Sequence, residues 1–442
     1  MPDQPLIFPA DFLWGVSTSA HQVEGNNHNQ WTQWEAGGNT ASGHRSGIAC
    51  DWWNNAERDF DLAQQLGLNA LRLSVEWSRI EPEPGNFNSA VIARYREMLN
   101  ALHRRGIKPL VTLHHFTNPI WFEESAAFLA AESTATFERF VKRVVEELGD
   151  LCDTWITFNE PNVYSTLGYI VGAFPPGRRS KLAATVRVLA NIARAHARAY
   201  RKIHELQPHA QVGWTDNYIV FQPADQQSQF DRMVAAWQHH LFNLSFLRVI
   251  ERGALMFPFN LMSGDLGEVK GTCDFVGLNV YNRAYVRFDL KFPASLFGHI
   301  FIPDDVPQGD PGVNHPYGEA YPHAIALAAQ NAARLEKPIY VMENGVPDAQ
   351  DRIRPWLIAN AVREMHALIQ QGIDLRGYFH WSLVDNFEWS EGWRLRFGLY
   401  ALDRDTQRRI PRASAQLYSS IVKANGLTEE LFDRETSDIR QR

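Results

Sequence analysis

Apolar and polar positions along the chain follow two alternating patterns. Short, nearly continuous apolar runs recur eight times, at intervals of roughly 35 to 65 residues, as strands buried on both faces do. They read "FLWGVST" from Phe12, "ALRLSVEW" from Ala70, "KPLVTLHHF" from Lys108 and "TWITFNE" from Thr154. The second half adds "QVGWTDNYIV" from Gln211, "DFVGLNVY" from Asp274, "KPIYVMENG" from Lys337 and "LRGYFHWSLVD" from Leu375. Between them lie stretches of helical period, such as "SAVIARYREMLNALHRRGIK" and "TATFERFVKRVVEELGD". The latter sets Phe137, Phe140, Val141, Val144, Val145 and Leu148 on one face.

Strands alternating with helices predict a parallel sheet, and eight such units predict closure into an α/β fold of the (β/α)8 barrel type. With 442 residues the chain exceeds a minimal barrel of about 250. No linker or low-complexity segment divides it, so one catalytic domain over residues 1–442 is expected. The surplus falls in long βα loops, residues 25–50 and 285–321 among them. The rival, an open doubly wound sheet, needs a Gly-rich phosphate turn after the first strand, and "FLWGVSTSAHQVEG" lacks one.

The C-terminal ends of barrel strands converge on one mouth, and here they carry polar side chains. Gln22 and Glu24 follow the first run, Arg72 and Glu76 sit in or after the second, and His114-His115 end the third. Asn159-Glu160 end the fourth, Asn279 and Tyr281 lie on the sixth, Glu343-Asn344 end the seventh, and Trp381 lies on the eighth. Each has an ordinary reading alone: an exposed acid, a core histidine, an Arg72–Glu76 ion pair. Glu160 and Glu343 stand out, because both follow apolar runs ("WITF", "IYVM") and so project from a rigid base. Two carboxyls across a sugar-sized cleft are what glycoside cleavage uses, one to protonate the leaving oxygen and one at the opposite face.

Composition narrows the classes. A formal net charge of −7 gives no reason for nucleic-acid or anionic-membrane partners. No run of about 18 apolar residues is present, the N-terminus lacks the pattern of a secretory signal, and a cytoplasmic location is the expectation. Cys50, Cys152 and Cys273 are too widely spaced for a disulfide framework or a metal site. "HELQPH" at residues 204–209 lacks the zinc H-E-x-x-H spacing. No metal or organic cofactor is expected. Fourteen Trp suit either a large core or a cleft for sugar rings, whose C–H faces stack on indole.

The motifs "TFNEPN", "YVMENG" and "HWSLVDNFEW", in that order, resemble glycoside hydrolase family 1, the β-glucosidase family of retaining (β/α)8 glycosidases. The resemblance runs from "FPADFLWGVSTSAHQVEG" to "RASAQLYSSIVKANG". It implies that Glu160 is the general acid/base and Glu343 the nucleophile. It implies further that Asn159 bonds the sugar 2-OH, that Arg72 and Tyr281 neighbour the nucleophile, and that Asn279 lies on the site floor. Gln22, His115, Glu388 and Trp389 match groups that hold the glycone hydroxyls, and Trp381 matches the platform under the ring. The implied partners are small β-glycosides or short oligosaccharides, with glucosides ahead of galactosides and fucosides.

The chain departs from the common family pattern at Phe116, Thr117-Asn118 and Val280, which bears on glycone preference and on the cleft entrance. Two rival functions remain. A phospho-β-glycosidase is opposed by Glu388, which would repel a phosphate dianion at close range. A catalytically silent sugar-binding barrel is opposed by the presence of both carboxylates.

Overall fold

Eight parallel strands close into a barrel in the computed structural model, which describes residues 5–312 and 317–436. They are β1 (Leu13–Ser17), β2 (Ala70–Ser74), β3 (Lys108–His114), β4 (Thr154–Asn159), β5 (Gln211–Pro223), β6 (Phe275–Phe288), β7 (Ile339–Asn344) and β8 (Leu375–His380). Each of the eight apolar runs contains one. Neighbours in sequence are neighbours in space, and closure comes from β8 pairing with β1, as Gly377 with Leu13. After each strand comes a helix: α1 (Trp52–Leu66), α2 (Ser89–Arg104), α3 (Ser133–Leu148), α4 (Leu182–Leu206), α5 (Ser245–Arg252), α6 (Ala324–Ala332), α7 (Arg354–Gln370) and α8 (Ala413–Lys423). The face anticipated for α3 is the buried one. Trp77 stacks on its Phe140 with centroids 4.8 Å apart. Burying such a side chain contributes roughly 2 kcal/mol.

The barrel axis is filled. Ala70, Leu110, Ile156, Phe275, Met342 and Phe379 form a closed inner cluster, the packed floor expected of this fold. Gly15 makes room for it: a Cβ there would lie 2.5 Å from the Phe379 ring. The next inward layer, toward the strand C-termini, is polar, because inward positions alternate along a strand. Arg72 lies two residues past Ala70, Thr112 two past Leu110, and Asn279 four past Phe275.

Two features depart from the sequence expectations. Residues 285–321 are not simply a loop. Strands β5 and β6 run on together past the barrel as far as the Pro223–Val286 pair, and β6 then pairs antiparallel with Gly298–Phe301 and Glu319–Ala320. Residues 25–50 hold the helix Gln30–Ala36, started by an Asn29/Thr32 capping box. The aromatic surplus divides: Trp14, Trp31, Trp77, Trp155 and Trp214 are fully buried, whereas Trp381 and Trp389 face a cavity. The three cysteines are buried and free. No helix among the described residues is long and apolar enough to cross a membrane.

Candidate active site

Above the polar layer opens a cavity of about 710 Å³, with Asn159, Glu160, Tyr281, Glu343 and Trp381 among its walls. Glu160 and Glu343 reach it by different backbone devices. Glu160 adopts a left-handed conformation (φ 47, ψ 65) directly before the helix Pro161–Thr166, and Pro161 takes the first helical position. That conformation costs a non-glycine residue about 1–2 kcal/mol. It is held by the Glu160 amide donating to the Thr215 carbonyl at 2.8 Å. Glu343 reaches the interior through a register shift against β6 between Val341 and Glu343, which sets it beside Asn279. Met342 and Glu343, adjacent in sequence, therefore both serve the interior.

The two carboxyls have unequal surroundings. Glu343 is ion-paired to the fully buried Arg72 and accepts the Tyr281 hydroxyl at 2.6 Å. Burial raises its pKa, while Arg72 and Tyr281 oppose the rise. Glu160 has only neutral direct partners: the amides of Asn279 at 2.8 Å and Asn217 at 3.1 Å donate to one oxygen. Burial, and then the negative charge of Glu343, push its pKa up to about 8. The Asn279 amide also favours the charged form of Glu343.

Asn159 organises the floor. Its Oδ1 accepts from Arg72 at 2.6 Å, Thr215 at 2.8 Å and Asn279 at 3.0 Å. With the oxygen so occupied, its Nδ2 donates to His115 Nε2 at 3.1 Å. Burial and the Arg72 charge hold the His115 pKa well below the ordinary value, so the ring is neutral. An accepting Nε2 places the proton on Nδ1, which has no protein partner. This ring stacks on Trp389 (5.8 Å, 17°) and on Trp381 (6.1 Å, 28°). Trp381 is the first residue past β8, not within it, and its indole donates to Glu388 at 3.0 Å. Burial raises the Glu388 pKa to about 8.

The remaining expected residues sort clearly. Arg72 and Asn279 lie beneath the cavity and act on the carboxyls. Gln22 is fully buried and outside the cavity lining, its side chain bonded to Ser19, Asn386 and the Phe387 carbonyl. It braces the segment that carries Glu388. Glu24 is tied to Arg79 and Tyr95, and Glu76 to Ser78 and Thr117, so neither faces the cavity. Phe116 lines the cavity edge-on to Trp389, with centroids 5.1 Å apart. Asn217 and Thr215 went unnoticed in the sequence, although "WTDN" shows the same polar loading of a strand end.

Asn217 yields a direct expectation. Its N–H favours the charged form of Glu160, so Asn217→Ala raises the Glu160 pKa further. The basic limb of kcat/KM against pH then moves to higher pH with little change in KM; a basic limb that stays in place contradicts the role.

A (β/α)8 barrel with two buried carboxyls and two indoles at its mouth carries the groups that glycoside cleavage uses. Comparison with known proteins defines the class. The profile of Glycosyl hydrolase family 1 matches residues 4–427. β-Glucosidase A of Thermotoga maritima is 32% identical over 96% of this chain and 99% of its own. A β-galactosidase of Pyrococcus woesei is 30% identical over the same shares. Among solved structures, a β-glycosidase from Pyrococcus horikoshii superposes with a TM-score of 0.87 at 36% identity, covering 98% of each chain. A T. maritima β-glucosidase in complex with isofagomine lactam superposes at 0.89, with 31% identity over 96% of this chain and 100% of that one. The chain belongs to glycosyl hydrolase family 1, and it is a glycoside hydrolase.

Proposed function

We propose that this enzyme is an exo-acting, retaining β-glycosidase with a preference for β-glucosides. The observation that carries the reading is the unequal pair on one floor: Glu343 against a buried cation and a phenol, Glu160 against neutral amides with its pKa near 8. That pair suits Glu343 to the carboxylate role and Glu160 to the acid role.

In the first step Glu343 attacks the anomeric carbon, and the Glu160 proton passes to the glycosidic oxygen as the aglycone leaves as an alcohol. Esterification removes the Glu343 charge, and with it a cause of the raised Glu160 pKa. Glu160, now ionised, takes a proton from water, which attacks the same carbon and frees Glu343. Two inversions return the β-sugar. His115 Nδ1–H, Glu388 and Trp389 face the glycone hydroxyls, Asn159 retains a second N–H for the 2-OH, and Trp381 offers its ring face. Three buried free thiols suit a reducing, cytoplasmic setting.

Proton NMR of aryl β-D-glucoside hydrolysis tests the reading. β-Glucose as the first-released anomer supports it; α-glucose means inversion and overturns it. Glu388→Ala is expected to lower kcat/KM on glucosides by about 10- to 100-fold through lost hydrogen bonds to a charged or buried carboxyl. The loss shrinks on 4-deoxy and 6-deoxy glucosides, and equal losses on all three contradict the assignment.

A further inference from the structure

The cavity is larger than a glycone pocket, and its outer wall has a different chemistry from its floor. The acidic side chains among its lining residues are Glu160, Glu343, Glu388 and Glu391, which lie just after β4, on β7 or on the segment after β8. A second wall comes from residues 166–189, 219–259 and 293–300, and among the described residues its lining contains no Asp, Glu, Lys or Arg. Its character is set by Ile170, Val186, Ile219, Phe242, Leu255 and Leu296.

Four of the six polar side chains on that wall, Thr166 and Ser180 aside, bond back to the protein. Thr185 donates to the Lys181 carbonyl at 3.1 Å, Ser245 to Leu241 at 2.6 Å, Ser295 to Gly298 at 2.8 Å and Gln238 to Ser295 at 2.6 Å. No Trp or Tyr stands on those three segments of the lining. A second sugar there would therefore find no indole of the kind seen at the floor and few polar groups for its hydroxyls, and unmatched buried hydroxyls are costly.

The apolar surface also continues outward. Val171 and Leu182 line the cavity yet remain 46% and 42% exposed. Phe257 (74% exposed) and Leu261 (73%) flank Phe259, and Leu290 (71%) precedes Leu296, on segments that supply the wall. Exposed apolar residues of this size, next in sequence to residues of the wall, extend its apolar character.

We propose that the aglycone site takes an extended hydrocarbon chain, so that the preferred substrates are amphiphilic β-glycosides with alkyl or acyl-chain aglycones, not oligosaccharides. This rests on the β-glycosidase reading above: the glycone occupies the polar floor, and the chain leaves the Glu160 side along the wall of residues 166–189, 219–259 and 293–300.

The test is kcat/KM for n-alkyl β-D-glucosides from ethyl to octyl, below their micelle concentrations, beside cellobiose and an aryl glucoside. The alcohols of this series are similar leaving groups, so the trend reports chain binding and not bond-breaking chemistry. The expected rise is about fourfold per methylene, the transfer value of a buried CH2, and so on the order of several thousandfold from ethyl to octyl. Leu296→Ser lowers the slope. A flat series, with cellobiose the better substrate, overturns the proposal while leaving the glycosidase reading intact. Absence of turnover on every glucoside, the aryl one included, overturns that reading and the proposal with it.

Discussion

Glu343→Ala is expected to lower kcat by roughly 10⁵-fold on every β-glucoside, activated aryl glucosides included, because no leaving-group ability replaces a missing nucleophile. The loss falls on the first chemical step, so no burst of released aglycone precedes it. The truncation leaves a space beside Arg72 and Tyr281 large enough for a small anion, and the Arg72 charge, fully buried, attracts one. Added azide should therefore restore cleavage of an activated glucoside, attacking from the Glu343 face to give the α-glucosyl azide. Retained activity in Glu343→Ala, or a β-azide product, contradicts the nucleophile assignment. Circular dichroism of the variant separates lost chemistry from lost folding.

Glu160→Ala is expected to split by leaving group. kcat/KM reports only the steps up to aglycone departure, in which Glu160 gives its proton. Alkyl glucosides and cellobiose, whose alcohols leave poorly without protonation, should lose about 10³-fold, within the usual range for general acid catalysis. A dinitrophenyl glucoside, whose phenolate needs no proton, should lose less than about tenfold in kcat/KM. Its kcat falls further, because the second step lacks a base. In the wild type the acid form of Glu160 persists up to a pH of about 8, so kcat/KM on alkyl glucosides declines above that pH. In the variant that basic limb is absent. Equal losses on both substrates, or an unchanged basic limb, remove Glu160 from the role.

How much of this was legible in the sequence depended on which physical signal each residue carries. The eight strands were readable because parallel strands covered on both faces leave continuous apolar runs, and each run contains an observed strand. Glu160 and Glu343 were readable because a carboxylate ending such a run has a rigid base. The backbone devices that aim them were not. Simple alternation puts Met342 and Glu343 on opposite faces, and only the register shift against β6 brings both to the interior. The left-handed turn at Glu160 is likewise unmarked, apart from the proline after it.

The polar layer was over-read in places and under-read in others. Glu24 and Glu76 looked like site residues, yet each finds partners away from the cavity. Arg72 pairs not with Glu76, one ordinary reading of it, but with Glu343 across the barrel, a contact between residues 271 positions apart that no local pattern encodes. Asn217 was missed because nothing in "TDN" tells a ladder residue from a carboxylate partner. The outer apolar wall was hidden for a different reason. Its residues come from three separated segments that look individually like ordinary core, and the extension of β5 and β6 beyond the barrel helps bring them to one cavity.

The central claim is a covalent glycosyl-enzyme on Glu343, and trapping it is the most direct test. A 2-deoxy-2-fluoro-β-D-glucosyl fluoride slows both steps, because fluorine destabilises the cationic transition state, while the fluoride leaving group keeps the first step the faster one. Mass spectrometry of the intact protein, followed by peptide mapping, should show one fluoroglucosyl unit per chain, esterified to Glu343. An adduct on another residue, or slow hydrolysis with no adduct and release of the α-sugar, would contradict the account.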